Sequence, residues 1–231
     1  MSTEYSQLVN VALAYGVPLN TVTLILMLPI VVTIITFFRQ VIGIKAFGIY
    51  TPAMITFAFF SIGVQAGDFS KGIKYGTSIF IMVILIGTLS RILMKRFRLL
   101  YLPRMAIVIT LVALATLAVL MIGGFFKRTG LAGVEIFPIL IMITLVEKFV
   151  STQIEKGSRI AIILSLETLI ISLISYSIIR WQPLISFVQQ YPWTILLTIL
   201  INIFLGHWTG LRLMEYFRFK DLISGKNVLK K

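Results

Sequence analysis

From residue 105 to residue 126 the chain runs for 22 residues without one charged side chain. About 20 apolar residues in a helix cross the ~30 Å hydrocarbon layer of a bilayer. Every backbone N–H and C=O in lipid must find an internal partner, so only helices or a closed barrel can span it. A barrel would alternate polar and apolar residues in segments of about ten. This run is continuous, which selects helices. Composition agrees: 58% of residues are hydrophobic and only 13% are charged, against about a quarter charged in soluble domains.

Seven such spans are expected, over residues 18–38, 49–66, 69–95, 103–123, 131–149, 157–179 and 192–214. The fold class is an all-α membrane protein. Its parts are an extracytoplasmic segment 1–17, a seven-helix domain 18–218 and a basic tail 219–231. Short connections with Gly, Pro or charge leave no room for a second domain between helices. Residues 1–17 carry no Lys or Arg, so the basic start of a signal peptide is missing and the first span is expected to be retained. Residues 5–15 suit the outer membrane surface.

The net charge of +13 would point to nucleic acid in a soluble protein. Here the cations cluster at span ends. The first, third and fifth connections and the tail hold fifteen Lys and Arg, and the opposite side holds five. Basic residues in short loops stay cytoplasmic. This places the chain in the cytoplasmic (inner) membrane, with its N-terminus outside, its C-terminus inside and no nucleic-acid partner. Trp181, Tyr191 and Trp193 resemble an interfacial aromatic belt before the last span.

Three pairs of positions hint at an internal repeat. Pro18 and Pro103 open the first and fourth spans, Pro52 and Pro138 lie early in the second and fifth, and Lys71-Gly72 and Lys156-Gly157 open the third and sixth. Each pair is 85 or 86 residues apart. Three helices repeated once must be inverted, which is a transporter architecture; chance placement of helix-end Pro and Gly is the alternative. The architecture would then be an inverted 3+3 repeat plus one helix.

Glu167 stands near the middle of the sixth span, and a carboxylate there must be paired, protonated or hydrated. It is a candidate proton or substrate site, with Asn202 of the last span the nearest polar residue by depth; a protonated Glu bonded to a neighbouring helix is the plainer reading. A second group, Arg91, Arg104, Glu147, Arg159, His207, Arg212 and Glu215, is expected at the cytoplasmic ends. It forms either an anion- or partner-binding ring or simply the positive-inside charge with local ion pairs. Small-xxx-small patterns at Gly63–Gly67, Gly72–Gly76 and Gly206–Gly210 suit close helix packing. Pro138, about eight residues into the fifth span, is expected to kink or break it.

Chemistry is sparsely equipped. There is no Cys and only one His, which excludes thiolate catalysis and multi-histidine metal sites. No nucleophile elbow, HExxH or P-loop appears. A Ser158–His207 pair has nothing to orient it. No catalytic residue and no cofactor is expected, and any ATP-driven step needs a partner.

Several segments carry a resemblance: Gly48-Ile-Tyr-Thr-Pro52, Leu102-Pro103-Arg104, Phe137-Pro138 leading to Glu147-Lys148-Phe149, Lys156-Gly157-Ser158-Arg159, and above all the stretch from Gly206 through Trp208, Gly210, Arg212 and Glu215 to Phe219. In these the chain resembles the seven-transmembrane module usually fused to an inactive, periplasmic transglutaminase-like domain. It is more faintly similar, through the second and fifth spans, to the CapC-type membrane subunit of poly-γ-glutamate capsule synthesis. The resemblance implies a non-enzymatic membrane component that works with a cytoplasmic ATP-grasp ligase of the RimK type and a periplasmic partner domain, in peptide or polyglutamate production or export. It also implies a periplasmic N-terminal side, in agreement with the charge bias. No transglutaminase-like domain precedes the spans here, so a stand-alone member or the membrane part of a split system is expected. The alternatives are a membrane scaffold without transport and a proton-coupled secondary transporter.

Overall fold

The computed structural model describes residues 5–65, 68–94, 96–97, 100–125 and 136–207. All regular structure among them is helical. In chain order the α-helices are α1 (Gln7–Ala14), α2 (Leu19–Phe37), α3 (Tyr50–Gln65), α4 (Phe69–Met94), α5 (Tyr101–Phe125), α6 (Ile136–Lys156), α7 (Ser158–Ile179), α8 (Gln182–Gln190) and α9 (Leu196–Gly206). A π-turn (Phe38–Ile42) extends α2, and a 3₁₀ turn (Pro192–Ile195) leads into α9.

Each expected span is occupied by a helix, although not each is long enough to cross alone. Leu19–Ile42, α4, α5, α6 and α7 are long and apolar enough. The last span is preceded by a bend of 105° between Gln182–Gln190 and Pro192–Gly206. Residues 208–214 of that span lie outside the described residues, as do 131–135 of the fifth. The second span is the surprise. Its helix has only 16 residues, or about 24 Å, short of the ~30 Å needed.

Large side chains such as Leu85, Leu89, Leu114, Met121 and Phe204 lie exposed along these helices. Apolar surface on this scale is untenable in water and is the lipid-facing surface of a multi-pass membrane protein.

The chain divides into two compact units. The first joins residues 1–49 with 177–231 and so pairs the first span with the last. In it α1 is capped by Ser6, whose Oγ accepts from Val9 N at 3.3 Å. The Ser6 N–H donates to the Gln189 carbonyl at 3.2 Å, which ties α1 to α8. Val22, Met27, Val31 and Ile35 form the buried stripe of α2 at helical spacing.

The second unit, residues 50–176, holds the second to sixth spans. Its core includes Ile55, Phe59, Ile62, Val83, Val112, Met142, Phe149 and Ile171. Helices α3 and α4 form a tight antiparallel hairpin. A Cβ on Gly72 would stand 2.7 Å from the Phe59 carbonyl oxygen and 2.9 Å from Gly63 Cα, and one on Gly76 would collide with the Phe59 ring. The small-xxx-small pattern at Gly72 and Gly76 therefore serves intramolecular packing. Gly157, with φ +90°, makes the single-residue turn between α6 and α7. That conformation favours glycine.

The paired repeat positions behave unequally. Pro52 and Pro138 are each the third residue of a described helix, whereas Gly72 is a helical contact point and Gly157 a turn. Pro138 is the third described residue of α6, and the stretch before it, 131–135, lies outside the described residues.

Candidate functional site

The depth of α3 can be read from its contacts. Pairing Gly72 with Gly63 and Gly76 with Phe59 fixes the antiparallel register, which sets Pro52 beside residue 83 of α4. From Phe69 that is about 21 Å along a helix of about 39 Å. Helix α7 also holds this end of α3. Ser172 Oγ donates to the Pro52 carbonyl at 3.1 Å, and Thr56 Oγ1 donates to the Ser172 carbonyl at 3.3 Å. Measured from the end where Arg91 of α4 meets Ser158 of α7, Pro52 lies about 12 Å in along α4 and about 21 Å in along α7. Helix α3 therefore begins part-way along both neighbours. The irregular stretch before it reaches that depth, and such backbone is tolerated there only where protein or water lines it.

Helix α7 turns a polar face inward. Ser165, Thr168, Ser172, Ser175 and Tyr176 recur at steps of three and four, and all are buried. Thr168 donates to the Leu164 carbonyl at 2.6 Å, Ser172 to the Thr168 carbonyl at 2.8 Å, and Tyr176 Oη to the Phe69 carbonyl at 2.7 Å. Phe59 packs edge-on against Tyr176, with ring centroids 6.3 Å apart. The buried Ser175 Oγ and Thr77 Oγ1 have no hydrogen-bond partner. Buried polar atoms are seldom left so.

Glu167 is half-buried on α7, between exposed Leu166 and buried Thr168, at the margin of the polar face. Asn202 belongs to the other compact unit. There its Nδ2 donates to Thr33 Oγ1 and to the Thr198 carbonyl, both at 2.8 Å. Thr33 in turn donates to the carbonyl of Pro29 at 2.8 Å. Asn202 thus bonds α9 to α2 next to the one proline inside that helix. No sequence pattern points to Thr33, or to the Gln189 Nε2 to Thr23 Oγ1 bond at 2.7 Å, because the partners are remote in the chain.

The basic-end residues are only partly gathered. Arg91 Nη1 donates to Ser158 Oγ at 2.7 Å, which sets Arg91 next to exposed Arg159. Deeper by one turn, buried Gln153 approaches Thr88 Oγ1 at 3.4 Å, and its Oε1 is buried with no hydrogen-bond partner. Arg104 is half-buried in the first turn of α5. Glu147 does not sit at a helix end. Helix α6 continues nine residues beyond it to Lys156, or about 13 Å, and the side chain is exposed. Its neighbour Val146 would lie 2.9 Å from a Cβ on Gly87. The expected span ended at Phe149, close after the first charges, while the helix runs on as an amphipathic extension to Lys156. His207 is exposed at the end of α9, and its N–H caps the Ile203 carbonyl at 3.1 Å. Arg212 and Glu215 lie outside the described residues. Among the described residues no cluster of three metal-ligating side chains occurs.

No curated protein matches the chain, and no solved structure does. One family model matches residues 2–223, nearly the whole chain and all seven helical segments. The protein is a member of the family described as seven transmembrane helices usually fused to an inactive transglutaminase.

Proposed function

We propose that this protein is the membrane component of a peptide or poly-amino-acid synthesis and export system, of polyglutamate-like chemistry, working with a cytoplasmic ATP-grasp ligase. It lies in the cytoplasmic membrane with its C-terminus inside. The observation that carries the reading is the start of short α3 part-way along its neighbours, beside the buried polar face of α7. An interrupted helix next to hydroxyls and a carboxylate is how helical membrane proteins accommodate polar cargo at depth. Glu167 is the intramembrane site. Arg91 and Arg159, with Arg104, form the basic mouth through which an anionic product leaves the ligase. The protein performs no bond chemistry itself, in keeping with a family whose fused domain is inactive.

The test is co-reconstitution with an ATP-grasp ligase in proteoliposomes and measurement of labelled acidic peptide across the bilayer. Glu167→Gln should abolish translocation while leaving ligase activity intact. No translocation by the unaltered protein with an active ligase would refute the proposal.

A scaffold without transport is the second reading. It is favoured by the closure of most α7 hydroxyls onto backbone carbonyls, which leaves them little capacity for cargo. On that reading Glu167→Gln is silent and loss of the basic loop residues uncouples the ligase. A proton-coupled transporter built on an inverted repeat is the third. It would show proton-driven uptake without any ligase.

A further inference from the structure

The irregular chain that leads to α3 carries a cavity of its own. A space of about 280 Å³ is lined by Thr36, Arg39, Gln40, Ile44, Lys45 and Ile49. The local fold builds it in three steps. Helix α2 widens into a π-turn over Phe38–Ile42, a rare form that is common at functional sites. Gly43 then reverses the chain with φ +95°, and Gly48 bends it again with φ +74°. Arg39 and Lys45 are thereby brought onto one cavity from opposite sides of the break.

The lining has a definite chemistry. Two cations and the Gln40 amide face the space, and no carboxylate is among the lining residues. Thr36 Oγ1 donates its hydrogen to the Val32 carbonyl at 2.8 Å; the nitrogen donors of the lining are the Arg39 guanidinium, the Lys45 ammonium and the Gln40 amide. Arg39 is half-buried and Lys45 exposed. Three donor groups on separate backbone positions suit an anion with three or four oxygens better than a two-oxygen carboxylate. The volume falls at the lower limit of small-molecule pockets, about 300 Å³. It fits a headgroup and not a polymer. Ile44 and Ile49 supply an apolar wall, which suits the glycerol side of a phosphodiester.

We propose that this pocket binds a phosphate-bearing anion, either the headgroup of an anionic phospholipid or a free phosphate. Basic pockets among transmembrane helices are a recurrent means of holding anionic headgroups. Occupancy would brace the break between the π-turn and α3 by linking Arg39 to Lys45. The site is independent of Glu167 and of any ligase.

The experiment uses the full chain, purified in detergent and placed in nanodiscs of phosphatidylcholine alone or with phosphatidylglycerol, with thermal unfolding and native mass spectrometry as readouts. Phosphatidylglycerol should raise Tm and remain bound. The double variant Arg39→Gln/Lys45→Gln should lose that rise and weaken lipid binding by roughly tenfold or more, at about fivefold per charge. Arg39→Lys/Lys45→Arg should keep most of the Tm rise. A control that removes two cations elsewhere, Lys71→Gln/Lys74→Gln, should keep the full response. A Tm rise from inorganic phosphate in phosphatidylcholine discs, lost in the same double variant, would identify the free anion as the source. No response to either ligand overturns the proposal, as does a response equal in the native chain and the Arg39→Gln/Lys45→Gln variant.

Discussion

A single methyl group on Gly72 should open the α3–α4 hairpin. In an isolated helix, replacing Gly by Ala is stabilising by about 1 kcal/mol. Here the new Cβ would lie 2.6 Å from Tyr176 Oη, 2.7 Å from the Phe59 carbonyl oxygen and 2.9 Å from Gly63 Cα. Two of these neighbours are backbone and cannot rotate away. Reaching ordinary contact at 3.4 Å needs an opening of 0.7 Å at the Phe59 carbonyl, the difference from 2.7 Å. Over-packing of this kind costs about 1–3 kcal/mol. The same movement displaces Tyr176 Oη from the Phe69 carbonyl, now at 2.7 Å, at a further cost of about 1 kcal/mol. Set against the helix-propensity gain, the net loss is about 1–3 kcal/mol. The assay is reversible unfolding in mixed SDS micelles, with Gly206→Ala as the reference. Nothing lies within 4 Å of a Cβ at Gly206, so that variant should be neutral or slightly stabilised. If Gly72→Ala proves as stable as Gly206→Ala, the close approach of α3 and α4 is wrong, and with it the register that starts α3 part-way along α4.

Other outcomes follow from the same contacts. Tyr176→Phe keeps the ring on Phe59 and removes one donor to the Phe69 carbonyl; it should cost about 0.5–1.5 kcal/mol in the same micelles. Asn202→Leu removes the bond from α9 to Thr33, and a cysteine pair placed across α2 and α9 should then cross-link more slowly. Because the chain has no native cysteine, single substitutions can also map sidedness. Lys74→Cys should react with an impermeant maleimide added outside intact cells, and Lys156→Cys only after permeabilisation; the reverse pattern would invert the proposed orientation. Gly157→Ala, at φ +90°, should cost about 1–2 kcal/mol from the strained left-handed backbone alone.

Most of the helical framework was legible because lipid imposes a length on each segment, and continuous apolar runs such as 105–126 leave few ways to satisfy the backbone. Boundaries were legible only where apolarity and helix end together. Near Glu147 the two part: the helix carries exposed Glu147 and Lys148 and continues over buried Phe149, Val150 and Gln153 to Lys156. The polar face of α7 was half visible. Glu167 drew notice as a charge, but serines and threonines are ordinary in apolar helices, and only packing shows that Ser165, Thr168, Ser172 and Ser175 share one buried side. The grouping of the first span with the last follows from partners more than 160 residues apart, Thr23 with Gln189 and Thr33 with Asn202. No local pattern encodes such pairs.

The part-way start of α3 could not be read from length alone, since a thinner bilayer also accommodates a short helix. It is fixed by two hydrogen bonds that converge on one carbonyl and a third that crosses back to α7. Pro52 O accepts from Thr56 at 2.8 Å and from Ser172 at 3.1 Å, while Thr56 also reaches the Ser172 carbonyl at 3.3 Å. A proline in the first turn lacks an N–H where none is needed, and its carbonyl oxygen, with two lone pairs, accepts from the neighbouring helix as well as from its own. The residue therefore does two things at once. It permits the helix to begin inside the membrane, and it offers the acceptor that anchors the beginning against α7. The same Gly48-Ile-Tyr-Thr-Pro52 segment was one of those that carried the family resemblance. Its specificity now has a physical reason: Gly48 bends the chain with φ +74°, and Pro52 starts and pins the short helix. Replacing Thr56 by Val and Ser172 by Ala, singly and together, measures that anchor. A coupling near 0.6 kcal/mol is the ordinary value for such bonds in membranes. A coupling of zero would leave the start of α3 unanchored, and the interrupted helix would then lose its claim to be a built feature of the fold.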